Sequence, residues 1–335
     1  MLVMALREWI VLGAAVAALT VPASAQETAA REPAGAFSIL FENDIFFGAD
    51  RDYTNGVELT YTTPPSQNVD AIVNFARWLP LFADHGYVRT SYSLGQSIFT
   101  PQHTELAVPL ATERPYAGFA YGTVSVMEAN PDRLDQLQIQ LGVVGPMSGA
   151  KEAQDWVHSI IDDLKPKGWH YQLHNEPAFN LYYDHSFKII PPQSLLGVVL
   201  DVEPHFGGAA GTVYDYANAG AMVRIGFNLP DDFGPPRIEP NLPGSSFFEP
   251  TGGFSLYAFA GVDGRAIARN IFLDGNTWRD SPSVDKNWWV GDLTLGAAMT
   301  FSGVRLAFTH VFRTREYKTQ DHSSQYGAVN LSFRT

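Results

Sequence analysis

Cysteine is absent from the 335 residues, which removes disulfide staples, thiol nucleophiles and thiolate metal sites. Positive charge is scarce: 22 Lys and Arg stand against 35 Asp and Glu, a formal charge of −13. That balance argues against a nucleic-acid partner, whose phosphates require clustered cations, and is compatible with a surface that recruits divalent cations. Long apolar runs are also missing. The run at 10–21 is too short to span a bilayer comfortably as a helix. It follows Arg7 and precedes Ala23-Ser24-Ala25, so residues 1–25 read as a secretory signal and 26–335 as one exported domain. With no later helix-spanning segment, the exported chain is either soluble or a β-barrel. There is no Gly-x-Ser-x-Gly elbow either, so no serine nucleophile is singled out.

What the chain does have is a period of two. Leu137, Ile139, Leu141 and Val143 alternate with Gln136, Gln138, Gln140 and Gly142. Leu293, Leu295, Ala297 and Met299 repeat the pattern, as do Val304, Leu306, Phe308 and then Val329, Leu331, Phe333. One face of each strand is apolar and the other polar or small. A soluble sandwich alternates as well. Strands about ten residues long, aromatic residues near their ends and a last strand that runs through Phe333-Arg334-Thr335, two residues past its aromatic, favour a transmembrane barrel. The pattern predicts an all-β fold, a twelve-stranded antiparallel transmembrane β-barrel. Its strands are expected at 36–45, 54–63, 88–99, 116–127, 132–145, 176–188, 195–206, 214–228, 252–269, 286–300, 302–314 and 323–335. An even number lets the sheet close without an exposed edge.

Strand parity then sorts the connections. With both termini periplasmic, the loops 46–53, 100–115 and 146–175 emerge at the cell surface. The periplasmic connections include two long ones, 64–87 with a short helix around 71–77, and the proline-rich 229–251. Within the third surface loop, 148–165 breaks the strand rhythm. Ala153, Trp156, Val157, Ile160, Ile161 and Leu164 recur at helical spacing. That predicts a helix whose apolar face must lie on the upper barrel wall, the lipid or another loop. His158 sits on one flank, with Gln154 four residues before it on the same side.

The stretch FENDIFFGADRDYTNGVELTYT, 41–62, places Asn43-Asp44 at the end of the first strand and Thr54 at the start of the second. Antiparallel pairing brings them to one height, on the same rim as the predicted helix. Carboxylate, amide and hydroxyl oxygens are hard ligands suited to Ca²⁺. In a strict strand Asn43 and Asp44 face opposite sides, so one ion can use both only where the chain twists or leaves the strand. Asn and Asp also favour turns without any ion, and a surface-helix histidine often has no task. Spacing alone leaves these readings open.

An ordered set of motifs resembles the outer-membrane lipid A 3′-O-deacylases. It comprises Asn43-Asp44; Asp52-Tyr53-Thr54 with Gly56; Gln96 with Pro101; Arg114; Gly142-Val143-Val144-Gly145-Pro146; Gln154 and His158-Ser159-Ile160-Ile161; and Trp169. The resemblance spans most of the mature chain and is concentrated before residue 185. It implies a hydrolase with its site between the outer barrel wall and a surface-loop helix, facing the outer leaflet of the outer membrane. It implies His158 as general base for a water that attacks an ester, and Asn43, Asp44 and Thr54 as ligands of Ca²⁺. Gln154 and Arg114 are implied substrate contacts, and lipid A or lipopolysaccharide is the implied substrate among the outer-membrane lipids. A monomer is favoured. The chain departs from the family at His103-Thr104-Glu105-Leu106, where members can carry a lysine toward the substrate phosphate. Asp162, Asp163 and Tyr171 only loosely match an acidic residue and a tyrosine that follow the family histidine. His170, His174 and His185 read as loop or barrel residues. The competing readings are a non-catalytic channel or structural porin, and a phospholipase A-type barrel esterase.

Overall fold

The structure is a computed structural model, described over residues 34–44, 52–78, 82, 86–161, 164–189, 197–230, 232–234, 237–238 and 253–335. The expected signal region, and Asp162 and Asp163, lie outside the described residues. Twelve strands form one closed antiparallel barrel in sequence order, with the first paired to the last. They are β1 (Ala36–Asn43), β2 (Asp52–Thr62), β3 (Tyr87–Thr100), β4 (Ala117–Asn130), β5 (Arg133–Val144), β6 (Glu176–Phe187), β7 (Val198–Gly211), β8 (Tyr214–Phe227), β9 (Ser255–Asn270), β10 (Trp289–Phe301), β11 (Val304–Arg313) and β12 (Ser324–Arg334). Closure pairs Ala36 with Arg334 and Asn43 with Gly327, so no strand edge is left open.

Every expected strand is present. Their ends move by a few residues where local chemistry overrides the alternation. Strand β10 starts at Trp289 rather than 286, because Lys286 is drawn into a bridge with Tyr317 in a neighbouring loop. The β10–β11 connection is a two-residue turn whose Ser302 and Gly303 both have positive φ, 52° and 86°. That is the twist a tight hairpin needs.

The alternating apolar residues face out. Leu94, Ile139, Leu141, Leu293, Leu295 and Phe308 are all exposed, which is stable only where lipid covers them. The inward face is polar and closely bonded. Arg224 holds Asp201, Glu203 and Asp232. Asp292 is held by Arg237, Arg265 and Arg313. Asp232 and Arg237 belong to the long 229–251 connection, so part of that segment enters the lumen. There the Ile238 backbone N–H donates to Glu42 at 2.9 Å. Near the surface end, Phe272 stacks on Phe99 with ring centroids 3.9 Å apart. Both join Tyr53, Phe119, Tyr214 and Ile238 in one buried cluster. A lumen filled in this way does not suit the channel reading.

Among the described residues three α-helices lie outside the strand rhythm: α1 (Asp70–Trp78), α2 (Ala150–Ile161) and the short α3 (Ile271–Asp274). The first fulfils the helix expected around 71–77. The second lies within the expected 148–165 and is shorter, because 146–148 forms a separate 3₁₀ turn.

Candidate active site on the outer wall

The chain leaves β5 through Gly145 (φ 98°), makes the 3₁₀ turn Pro146–Ser148 and reverses at Gly149 (φ 69°). Both glycines sit in the left-handed region that side chains disfavour. This reversal lays the start of α2 flat on the outer wall. Gly145 N–H donates to Gly118 O at 2.9 Å, Ser148 Oγ to Gly145 O at 2.6 Å, and Gln96 Nε2 to Ser148 O at 2.7 Å. A Cβ on Gly118 would stand 2.2 Å from the Ala150 Cβ, so only glycine lets the helix come this close.

Ile98, Tyr116, Ala150 and Trp169 form a small buried core under the helix. The Tyr116 and Trp169 rings are 5.0 Å apart. The Trp169 indole N–H donates to Gln154 Oε1 at 2.9 Å. Gln154 therefore pins α2 to the wall and is itself buried.

One turn further along, His158 is 5 % exposed. Its Nδ1 lies 2.7 Å from the Leu164 carbonyl oxygen. A carbonyl only accepts, so Nδ1 carries the proton in this bond. The ring is fixed by this bond, as an oriented base requires.

The expected apolar side is split: Ala153 packs on the wall core, and much of the rest turns outward. Trp156, Ile160 and Leu164 are exposed, while Gln154 and His158 face the wall. In water this orientation would be unfavourable; at a membrane surface lipid takes the apolar side. Of the three surfaces open to the apolar side in the sequence, lipid is the one that fits Trp156, Ile160 and Leu164.

The first hairpin supplies the remaining residues. Strand β1 ends at Asn43, and Asp44 follows in a 3₁₀ conformation. The chain thus leaves the strand where the two side chains would otherwise diverge. A bulge between Tyr53 and Asn55 keeps Tyr53 in the lumen cluster and places Thr54 beside Thr100, their hydroxyls 2.7 Å apart. Asn43, Asp44 and Thr54 are all buried. Asn43 pairs with Asn55 across the hairpin, and Thr100 ends the strand whose Ile98 packs under α2. The rim and the helix thus share one edge of the barrel.

Arg114 does not join them. It is fully buried, donates to Glu316 at 3.2 Å and lies 4.8 Å over the Phe99 ring. Phe99 points into the lumen, so Arg114 braces the barrel mouth from inside. Of the residues that shape the site, Gly118, Tyr116 and Thr100 carry no sequence signal of their own. A glycine in an outward-facing row just after a surface loop was the one available hint for Gly118.

Among the described residues, no three His, Cys, Asp or Glu side chains gather as a metal cluster. A cation here would rest on one carboxylate, Asp44, with the amide oxygen of Asn43 and the hydroxyl of Thr54. Such hard neutral donors with little charge suit Ca²⁺ held modestly rather than tightly. Thr54 can donate its proton to Thr100 and keep lone pairs for the ion. The donor chemistry of these residues suits the ion.

A closed antiparallel barrel with an apolar exterior and a polar, filled interior defines an integral outer-membrane protein. A family profile described as "Outer membrane protein LpxR" matches residues 11–335, and the chain belongs to that family. The solved structure of LpxR from Salmonella typhimurium superposes with a TM-score of 0.72 at 22 % identity, covering 90 % of this chain and 100 % of that one. The β domain of the Bordetella autotransporter BrkA reaches a TM-score of 0.42 at 8 % identity, covering 90 % and 100 %. The KdgM porin reaches 0.36 at 5 %, covering 90 % and 99 %. Both likenesses are too slight to add to the reading. No curated protein sequence matches.

Proposed function

We propose that the protein is an outer-membrane lipid A deacylase that hydrolyses the ester of the 3′-linked acyloxyacyl group. The observation that carries this reading is His158: a histidine enclosed between a lipid-facing helix and the barrel wall, with Nδ1 committed to a carbonyl. Membership of the LpxR family supports it.

In this mechanism His158 Nε2 takes a proton from water, and the water oxygen attacks the ester carbonyl. The bond from Nδ1 to Leu164 O steadies the imidazolium that forms. A positioned base of this kind contributes roughly 10²–10⁴-fold. Asn43, Asp44 and Thr54 would hold Ca²⁺, which when bound would supply positive charge for the developing oxyanion. Collapse of the tetrahedral adduct breaks the bond to the sugar oxygen, and His158 returns its proton to that leaving group. Gln154 and Trp169 hold the helix at working height. No serine nucleophile is needed. The exposed Trp156, Ile160 and Leu164 keep α2 in contact with the acyl chains, so the substrate is met without leaving the membrane.

The test is direct. The detergent-purified protein is incubated with lipid A, and separately with phospholipid, with Ca²⁺ or with chelator. Loss of mass equal to one acyloxyacyl group, with Ca²⁺ only, is expected. Fatty acid released from phospholipid instead would replace this reading with the phospholipase one.

A further inference from the structure

Helix α1 has no part in that chemistry and sits at the other end of the barrel. Its Ala76, Ile72 and Val73 pack with Phe82, Val88, Val126 and Leu137. By alternation Val88, Val126 and Leu137 are outward-facing residues of β3, β4 and β5, so α1 lies on the lipid side of the wall. One outward step below Leu137 the wall turns polar: Asp135 is bonded by Arg133 at 2.6 Å, Tyr183 at 2.7 Å and His185 at 2.9 Å. The apolar band therefore ends at the level of the helix.

The spacing agrees. Helix α1 packs on Val88 and helix α2 on Ile98, both on β3. Ten residues of strand span about 34 Å, or roughly 26 Å along the membrane normal at a tilt of ~40°. That equals the ~25 Å apolar band of outer-membrane barrels. The two helices bracket the same wall at its two interfaces.

Against this frame the far side of α1 carries what a lipid contact needs. Trp78 is 77 % exposed and Phe75 47 %. Their rings stack at 6.4 Å, and the exposed Arg77 lies beside them. Aromatic rings on an amphipathic helix at this depth prefer the boundary between headgroups and acyl chains.

We propose that α1 is an interfacial anchor seated in the periplasmic leaflet, with Phe75 and Trp78 as its contacts to phospholipid. It continues the lipid-facing belt of the barrel and fixes the height at which β3 and β4, and so α2 above them, meet the bilayer. The inference is independent of the deacylase reading.

The experiment places the full chain in phosphatidylethanolamine–phosphatidylglycerol vesicles, with and without phospholipid brominated near the headgroup. The emission of wild type minus that of Trp78→Phe isolates Trp78. A blue-shifted difference spectrum, reduced severalfold by the brominated lipid and little changed by aqueous iodide, is expected. Phe75→Trp read in the same way should add a second quenchable signal. A difference spectrum at the wavelength of water-exposed tryptophan, quenched by iodide and untouched by brominated lipid, would overturn the proposal.

Discussion

Replacing Gly118 by alanine tests whether the position of α2 controls turnover. The added Cβ would lie 2.1 Å from Ser148 Oγ and 2.2 Å from Ala150 Cβ. The serine hydroxyl can rotate away, at the loss of its bond to Gly145 O. The Ala150 Cβ is fixed to the helix backbone and cannot. Carbon–carbon contact is comfortable only from about 3.5 Å, so α2 must lift by roughly 1.3 Å. The lift strains the Gln96–Ser148 and Trp169–Gln154 bonds that hold the helix down, while the strand ladder is untouched and the barrel itself should persist. A displacement of about 1 Å at a reacting centre can cost ~10²-fold, and that is the loss expected in kcat on lipid A. Gly122→Ala is the control from the same outward row of β4. Its Cβ would meet Leu94 Cδ2 at 3.5 Å and Ser93 O at 3.8 Å, which is ordinary contact. Initial rates of acyl release by mass spectrometry, with heat-modifiable gel mobility to verify the barrel, give the comparison. Wild-type turnover in Gly118→Ala, or an equal loss in Gly122→Ala, would refute the link between helix height and rate.

Four further outcomes follow from the same structure. His158→Ala is expected to lower turnover ~10²–10⁴-fold, and Asp44→Asn to raise the Ca²⁺ concentration needed for half-maximal rate, each with the barrel intact; activity against Ca²⁺ titrations checks both. In the lumen, Arg237→Ala removes bonds to Asp292 (2.6 Å) and Tyr326 (2.7 Å). Asp292 keeps Arg265 and Arg313, so the loss should stay near 1–3 kcal/mol, read as a lower midpoint in denaturant with detergent held constant. On the surface loop, the Glu113 carboxylate bonded to His103 raises the His103 pKa above its ordinary value. The tie is therefore complete at pH below the unfolded value of about 6.5 and is lost as pH rises through the raised one. Histidine NMR should find His103 titrating late and Glu113→Gln bringing it back.

Much of the architecture was legible because it is written locally. Alternation along a strand depends only on neighbours two residues apart, so Leu137–Val143 and Leu293–Met299 announced lipid-facing strands without knowledge of their partners. Parity then placed the loops, and the spacing of Ala153, Trp156 and Ile160 announced α2. The same spacing could not say which way α2 turns. That is decided by what lies on either side of it, the wall with Ile98 and Tyr116 or the bilayer. Likewise Arg114 entered only as a substrate contact implied by resemblance, and its partners Glu316 and Phe99, far from it in the chain, were not legible.

The sequence by itself determined a closed twelve-stranded β-barrel, its inside and its outside, because a two-residue period and an even number of strands leave one way to satisfy every backbone bond in lipid. Only the tertiary structure decided that His158 is turned to the wall, that Gly118 sets the height of its helix, and that part of the connection after β8 enters the lumen. Each of these depends on contacts between segments many residues apart, and such contacts are made by chain closure rather than by local pattern.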